Sequence, residues 1–221
     1  MNLMHFLLIV YLTLPLLAIY WVYRKIYQEH DSSYWHILYM VKFLCALSFL
    51  PLLAFSSLDL ALVPKNNWSI IFIIITFILA ILGIGKAKKE KVVMSYSAGV
   101  MAAFMEEILY RGIIFGLLLA TYNNYWFAAI ISSIGFGFWH LKNFPWHGNK
   151  KITWIQFFYT MFVYGPIFSI LRIWTGDIYL AILYHYIIDA TCALAPNWMR
   201  GWLVLGGREE YYMDSDKRIK L

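Results

Sequence analysis

The chain has 221 residues, of which 62% are apolar or aromatic and only 14% are charged. An average soluble domain has roughly 45–50% apolar and about 25% charged residues, and a domain of this size leaves much of its chain at the surface. The composition therefore excludes a soluble globular domain and a disordered chain. A formal net charge of +6 would suit a nucleic-acid partner, but the basic residues lie between apolar segments. We expect a membrane protein that has no nucleic-acid partner.

Seven apolar segments divide the chain, at residues 3–23, 35–56, 68–84, 94–120, 125–141, 153–173 and 178–194. Each has about 17–27 residues, enough for a helix to cross a hydrocarbon core of roughly 30 Å. A barrel is excluded because the two-residue alternation of its strands is missing. We expect an all-α, polytopic membrane protein with seven transmembrane helices, and residues 195–207 as a candidate eighth or interfacial helix. Pro15, Pro51 and Pro166 lie inside these segments and are expected to kink them.

The distribution of basic residues predicts the orientation in the membrane. With the N-terminus outside and the C-terminus inside, fourteen basic residues lie on the inner side: Arg24, Lys25, Lys86, Lys88, Lys89, Lys91, Lys142, Lys150, Lys151, Arg200, Arg208, Lys217, Arg218 and Lys220. Only Lys65 and Arg172 lie on the outer side. This strong bias follows the positive-inside rule. Most of the positive net charge is therefore explained by the orientation of the chain in the membrane.

No internal repeat and no long linker divides the chain, so we expect one membrane domain over residues 1–221. Residues 1–93 hold three apolar segments without a recognised motif, whereas residues 94–195 hold the polar motifs described next. Cys45 and Cys192 both lie inside apolar runs, which offers neither a disulfide framework nor a cysteine metal site.

Ionisable side chains within apolar segments indicate a buried polar site. A charge at mid-bilayer costs roughly 2.5–3.5 kcal/mol on the insertion scale, and such residues usually face each other or a wet cavity. Six are found within or at the end of a segment: Glu106, Glu107, Arg111, His140, His185 and Asp189. A structural ion-pair network that only fixes helix packing is the simplest alternative to a functional site.

The spacing of these residues suggests which of them form an ion pair on one helix and which do not. Glu107 and Arg111 are four residues apart with the glutamate first, which favours an ion pair on a helix. Glu106 points about 100° away, so we expect it to lack a local partner and to be free to take up a proton. One arginine needs only one carboxylate, which argues against a purely structural network.

Two later segments each carry a pair at helical spacing, Phe136 with His140 and His185 with Asp189. The second pair has the spacing of metal ligands, but a His-Glu-x-x-His motif is absent, so any metal would need ligands from separate helices. Gly112, Gly116, Gly135 and Gly137 are expected to let helices approach closely around the site.

The three motifs together resemble the CAAX-protease and bacteriocin-processing family of intramembrane endopeptidases, also called the Abi family. Its signature is Glu-Glu-x-x-x-Arg, then Phe-x-x-x-His, then His-x-x-x-Asn or Asp. Here the motifs are Glu106-Glu107 with Arg111, Phe136 with His140, and His185 with Asp189, in that order, so the resemblance covers about residues 94–195.

The resemblance implies roles for the motif residues. Glu106 and His140 match the pair that activates a water molecule, and His185 and Asp189 match the pair that stabilises the oxyanion. Glu107 and Arg111 match residues that look structural. Prenyl-protein proteases of this family have Asn at the position of Asp189, and an ionised aspartate cannot donate a hydrogen bond. Asp189 would then either be protonated or orient His185.

We therefore expect an intramembrane endopeptidase of the cell membrane, with multiple spans and a cavity that opens to the cytosol. Its partners would be the lipid bilayer and a peptide or protein substrate, such as a C-terminal tail or a leader peptide, in bacteriocin or peptide maturation or in immunity. We expect no cofactor. Zinc bound by Glu106, His140 and His185 is the alternative, since the family was first described as metalloproteases.

Two functions of other classes remain as alternatives. A proton-coupled transporter also needs carboxylates and histidines within the membrane, although the chain is small and has no detectable repeat. A non-catalytic immunity or docking protein would keep the fold without cleavage.

Overall fold

The computed structural model describes residues 3–29, 34–55, 58–90, 102–145 and 150–194. In these ranges the chain forms seven helices, which we number α1 (Leu3–Tyr27), α2 (Tyr34–Leu47), α3 (Asn67–Glu90), α4 (102–122), α5 (Tyr125–Trp139), α6 (150–175) and α7 (Tyr179–Leu194). The ranges contain no β-strand, which confirms the predicted all-α fold for this part of the chain. The candidate helix at 195–207 lies outside the described residues.

The outward faces of several helices are apolar. On α3, large side chains that include Ile71, Ile74, Ile78 and Leu82 are exposed at helical spacing. Contiguous apolar surface of this extent is typical of contact with lipid or a partner. By length and composition, two described helices, Leu3–Ile26 and Thr153–Thr175, could cross a membrane. The number of spans and their orientation stay predictions.

The segment predicted as one helix over 35–56 is interrupted, so this part of the prediction is wrong. α2 ends at Leu47, and a short 3₁₀-helix follows at Leu50–Ala54. Pro51 lies in the first turn of that 3₁₀-helix. Proline has no N–H to donate and its ring collides with the preceding turn, so an α-helix cannot run through Pro51 undisturbed.

Two helices widen into π-helical turns. α4 does so at Ile108–Ile114, directly after the glutamate pair, and α6 does so at Thr160–Tyr164. The turn in α6 ends just before Pro166, whose missing N–H disturbs regular α-helical hydrogen bonding. Such turns are rare and frequently lie at functional sites.

Residues 58–62 run across α4, and the small residues of α4 make room for them. A Cβ atom added to Gly116 would lie 2.8 Å from the backbone oxygen of Asp59, and one added to Gly112 would lie 3.2 Å from that of Leu60. These two glycines therefore admit a loop rather than the helix that the sequence analysis expects. Gly137 does face a helix, since its added Cβ would lie 2.7 Å from Cβ of Met161 on α6.

Helix contacts bring the motif-bearing segments together. α5 packs against both α4 and α6, and α7 packs against α3 and α6. A tight turn joins α4 to α5, where Asn123 ends α4 in the left-handed conformation and the side chain of Asn124 caps α5 by accepting the N–H of Phe127. A 3₁₀-helix, His140–Asn143, extends α5 and packs against α1.

Candidate active site

The predicted site residues converge on one place between α4, the end of α5, and α7. Glu106, Glu107 and Arg111 come from α4, His140 begins the 3₁₀-helix after α5, and both His185 and Asp189 come from α7. All are buried except Asp189, whose side chain is 34% exposed. The structure thus brings together residues that lie up to 83 positions apart, from 106 to 189.

Glu107 is shared between two partners. One of its oxygens, Oε1, lies 3.3 Å from Nη1 of Arg111, as the spacing predicts. The same oxygen accepts a hydrogen bond from Nδ1 of His185 at 2.8 Å. Nη2 of Arg111 in turn donates to the backbone oxygen of Gly165 on α6 at 3.0 Å. Glu107 therefore does more than neutralise Arg111, because it also fixes the ring of His185.

Glu106 forms an ion pair with a residue of another segment, so the expectation that it is unpaired is wrong. Nζ of Lys142 donates a hydrogen bond to Oε1 of Glu106 at 2.8 Å, and both side chains are only 5% exposed. Lys142 also lies over the ring of Trp139, 4.1 Å from its centroid. The sequence analysis counted Lys142 as a topology signal, because a lysine after an apolar segment usually lies in the interface. The sequence feature that could have indicated this contact is the position of Lys142 two residues after His140.

The second nitrogen of His185 faces two carboxylates without bonding to either. Nε2 lies 3.9 Å from Oε2 of Glu106 and 3.8 Å from Oδ2 of Asp189. These separations exceed the length of a hydrogen bond. Because Glu107 holds Nδ1, Asp189 does not orient the ring through that nitrogen. The orienting role that the sequence analysis considered for Asp189 thus belongs to Glu107.

His140 has a defined tautomer. Its Nδ1 lies 2.9 Å from the backbone oxygen of Phe136, and a carbonyl oxygen can only accept. Nδ1 therefore carries a hydrogen, and in the neutral ring Nε2 keeps its lone pair. His140 also lies close enough to Glu106 for their charges to interact.

Aromatic rings form the walls of this site. The ring of Phe136 contacts both histidines edge-on, at centroid distances of 4.8 Å from His140 and 5.8 Å from His185. Phe168 stacks on His185 at 4.9 Å, and the guanidinium of Arg111 lies 4.3 Å from the Phe136 centroid. These contacts restrict the rotation of the imidazoles and exclude water from most of their surface.

The expectation of no cofactor and the zinc alternative both stay predictions. Among the described residues, no three His, Cys, Asp or Glu side chains are placed so that they could hold a metal ion. Glu106 has the ammonium group of Lys142 against one oxygen, which would repel a second cation at that carboxylate.

Comparisons with known proteins support the resemblance. Residues 88–191 match the family model described as type II CAAX prenyl endopeptidase, Rce1-like. Comparisons with curated proteins and with solved structures gave no match. The matched range contains all three motifs and every predicted site residue. Residues 88–191 are therefore similar to the type II CAAX prenyl endopeptidases, which are membrane proteins.

Proposed function

We propose that the protein is an intramembrane endopeptidase that cleaves a peptide bond by direct attack of an activated water molecule. The observation that carries the proposal is the position of Glu106. Its carboxylate is buried and lies near both histidines of the motifs, and one of its oxygens is not bonded to Lys142. A buried carboxylate beside an imidazole lone pair is suited to removing a proton from water.

In the first step Glu106, assisted by Nε2 of His140, takes a proton from the water. The water oxygen forms a bond to the carbonyl carbon of the substrate, and the carbonyl electrons move onto its oxygen. The tetrahedral intermediate then collapses, the C–N bond breaks, and the abstracted proton passes to the leaving nitrogen. No step needs a reactant other than peptide and water.

The developing oxyanion needs a hydrogen-bond donor, and we assign this role to His185. Its Nδ1 already donates to Glu107, so Nε2 can donate only when the ring is an imidazolium. Glu106, Glu107 and Asp189 all lie within 4 Å of the ring nitrogens and would stabilise that positive charge. Glu107 and Arg111 are positioning residues in this account.

Lys142 gives Glu106 a defined resting state. The ion pair keeps Glu106 ionised, as a base must be, and holds its carboxylate in one orientation. The side chain of Lys142 has a flexible four-carbon stem. Its ammonium group can therefore move toward the substrate as charge shifts onto the carbonyl oxygen.

The setting of the activity is part of the proposal. We infer multiple spans in the cell membrane, a site open to the cytosol, and no cofactor. The substrate is a peptide or protein segment, such as a C-terminal tail or a leader peptide, processed in peptide or bacteriocin maturation or in immunity. We infer one membrane domain, in which residues 94–195 carry the chemistry.

Cleavage of a peptide library by the purified protein in detergent tests this function. In water enriched with heavy oxygen, each cut should place one heavy oxygen in the new carboxyl group, and a strong chelator should leave the rate unchanged. Chelator-sensitive activity that zinc restores would overturn the metal-free mechanism.

Absence of cleavage, with intact proton-coupled uptake in vesicles, would favour the transporter. An immunity phenotype that survives Glu106→Gln would favour the non-catalytic docking protein.

A further inference from the structure

Asn143 carries a buried hydrogen-bond acceptor that the proposed mechanism does not use. It is the last residue of the 3₁₀-helix that begins at His140, and it is only 3% exposed. Its Nδ2 donates a hydrogen bond to Oε1 of Gln156 on α6 at 2.8 Å. Its Oδ1, in contrast, is buried without a hydrogen-bond partner in the described part of the chain. A buried acceptor without a donor is costly, so this oxygen calls for an explanation.

The geometry of the 3₁₀-helix places Asn143 beside His140. In such a helix the side chains of residues i and i+3 lie one above the other. The pair one residue earlier has this arrangement, because Nζ of Lys142 lies 4.1 Å from the ring centroid of Trp139. Asn143 follows His140 by the same three residues, so its amide group lies on the face of the helix that carries His140.

Gln156 holds the amide group of Asn143 in one orientation. Because Nδ2 is bonded to Gln156, the amide plane cannot turn freely, and Oδ1 on the other side of the group is directed away from Gln156. The rings of Phe144 and Trp154, whose centroids are 5.5 Å apart, hold the first part of α6 against the end of the 3₁₀-helix. The acceptor is therefore positioned before a ligand arrives, which lowers the entropic cost of binding.

The position of this acceptor suits a backbone N–H group of an extended peptide. Three residues of 3₁₀-helix span about 6 Å along the axis. This distance is close to the two-residue repeat of an extended chain, about 6.5–7 Å, after which the N–H groups point in the same direction again. A peptide whose carbonyl carbon lies at Glu106 and His140 thus has an N–H group near Asn143. A cationic ligand is disfavoured, because Lys142 is the neighbouring residue.

We propose that Oδ1 of Asn143 accepts a hydrogen bond from a backbone N–H group of the peptide substrate, about two residues from the cleaved bond. Gln156 is the positioning residue for this contact. The inference rests on the proposed function, because it names a further contact of the same substrate. A contact with the backbone does not depend on the side chains of the peptide, so it fixes which peptide bond lies at Glu106 without selecting a sequence.

The test removes the N–H groups of a peptide one at a time. The parent probe is N-acetyl-penta-leucine amide, and each of five analogues replaces one leucine N–H group by an ester oxygen. Binding to the full chain in detergent is measured on ice, and mass spectrometry checks that each probe stays intact. At one position the ester should weaken binding by about tenfold, because it leaves the buried Oδ1 without a donor.

Variants of Asn143 and Gln156 assign that loss to the proposed contact. In Asn143→Leu, which has no acceptor, the ester and the parent should bind equally to within about twofold. Asn143→Asp keeps an acceptor and should keep the loss. Gln156→Glu should keep it as well, since a carboxylate can only accept and so holds Nδ2 of Asn143 in the orientation described.

Two further variants separate the contact from general effects on structure. Gln156→Leu frees the amide group of Asn143, so the loss should fall below about threefold even if Asn143→Leu folds poorly. Ser132→Ala is the matched control, because Ser132 is also buried but its hydroxyl is bonded to the backbone oxygen of Ala129. It should keep the full loss.

A parent probe that does not bind, or equal binding of the parent and all five esters, would overturn the contact. A loss that persists unchanged in both Asn143→Leu and Gln156→Leu would also overturn it. Because binding is measured without turnover, the two proposals can fail separately. An ester effect that depends on Asn143, in a protein that cleaves no peptide, would refute the endopeptidase and keep the contact. Cleavage without any such effect would do the reverse.

Discussion

Buried charges occur in two regions of the molecule, and the groups that bond to these charges differ between the two regions. The first region is the Glu106 cluster, formed by Glu106, Glu107, Lys142, His185 and Asp189. The second, which we call the Asp177 cluster, lies where residues 58–69 meet the start of α7 and consists of Asp59, Ser69, Arg172, Asp177 and Tyr179.

In the Asp177 cluster the backbone and a hydroxyl group satisfy the Asp177 carboxylate, while Nε of Arg172 is buried without a hydrogen-bond partner in the described part of the chain. Asp177 is fully buried, and its carboxylate accepts the N–H groups of Lys65 and Tyr179 at 3.0 and 3.2 Å and the hydroxyl of Ser69. Arg172 donates to the backbone oxygen of Asp59 at 2.7 Å and lies 3.9 Å from the Phe115 centroid. No second titratable side chain bonds to either within the described ranges, so these charges hold the loop to the helices.

In the Glu106 cluster the charged groups face one another, and some contacts are left open. Nε2 of His185 stays 3.8–3.9 Å from two carboxylates, and Oε2 of Glu107 is buried without a partner in the described part of the chain. Such an arrangement can exchange protons and accept a substrate group. The comparison suggests that a buried carboxylate held by backbone and hydroxyl donors, such as Asp177, maintains the fold, whereas titratable side chains that face one another perform chemistry.

The largest effect on stability is expected at Glu107, which both pairs with Arg111 and holds the ring of His185. Glu107→Ala removes the acceptor of Nη1 of Arg111 and of Nδ1 of His185, although Nη2 of Arg111 keeps the backbone oxygen of Gly165. The free energy of unfolding should fall by about 3–5 kcal/mol, measured by thermal or denaturant unfolding in detergent.

Glu29→Ala is the control for Glu107→Ala, because Glu29 also pairs with a cation four residues away but at the surface. It should lower the free energy of unfolding by less than about 1 kcal/mol. Equal losses for the two variants would show that Glu107 is not the centre of a buried network.

Removal of the Asp177 carboxylate should lower stability while leaving the chemistry intact. Asp177→Ala removes the acceptor of the buried Ser69 hydroxyl and of the part-buried N–H groups of Lys65 and Tyr179, and the free energy of unfolding should fall by about 2–3 kcal/mol. Peptide cleavage per folded molecule should stay within about twofold of wild type. A proportionate loss of activity and stability would mean that the two regions do not differ in the way proposed.

A double-mutant cycle measures the coupling free energy between Glu106 and Lys142. Glu106→Gln strands the buried ammonium group, and Lys142→Met strands the buried carboxylate. The double variant should therefore be more stable than the sum of the single losses implies, with a coupling of about 1–3 kcal/mol. Additivity to within about 0.5 kcal/mol would contradict a specific pair.

The smallest effect is expected at Asp189. Its side chain is 34% exposed and lies 3.8 Å from Nε2 of His185, and it does not hold the other ring nitrogen. Asp189→Asn should reduce the rate of cleavage by less than about tenfold, since an amide can also donate to an oxyanion. A loss near the factor of about 10⁴ seen when an orienting aspartate is replaced in a Ser-His-Asp triad would restore the orienting role.

Much of the fold could be predicted from the sequence, because apolar length and interrupting polar residues decide where these helices lie. Each of the seven apolar segments overlaps one described helix. The break after Leu47 could not be located by hydropathy, since both sides of Pro51 are equally apolar. The π-helical turn after Glu107 has no sequence signal of its own, because it depends on how α4 packs against its neighbours.

The motifs predicted which residues converge, but not all of their partners. Helical spacing correctly joined Glu107 to Arg111, since both lie on one helix. It could not predict the contact of Lys142 with Glu106 or of His185 with Glu107, because these contacts depend on tertiary packing between separate segments.

The comparison between the two regions is tested most directly by the rate of peptide cleavage per folded molecule in Glu106→Gln and in Asp177→Asn. Each substitution exchanges one buried carboxylate for an amide of the same shape. We predict that Glu106→Gln loses about 10²–10⁴-fold in rate, as expected for removal of a general base, while Asp177→Asn stays within about twofold of wild type. Equal losses in the two variants, or substantial cleavage by Glu106→Gln, would contradict the assignment of the chemistry to the Glu106 cluster.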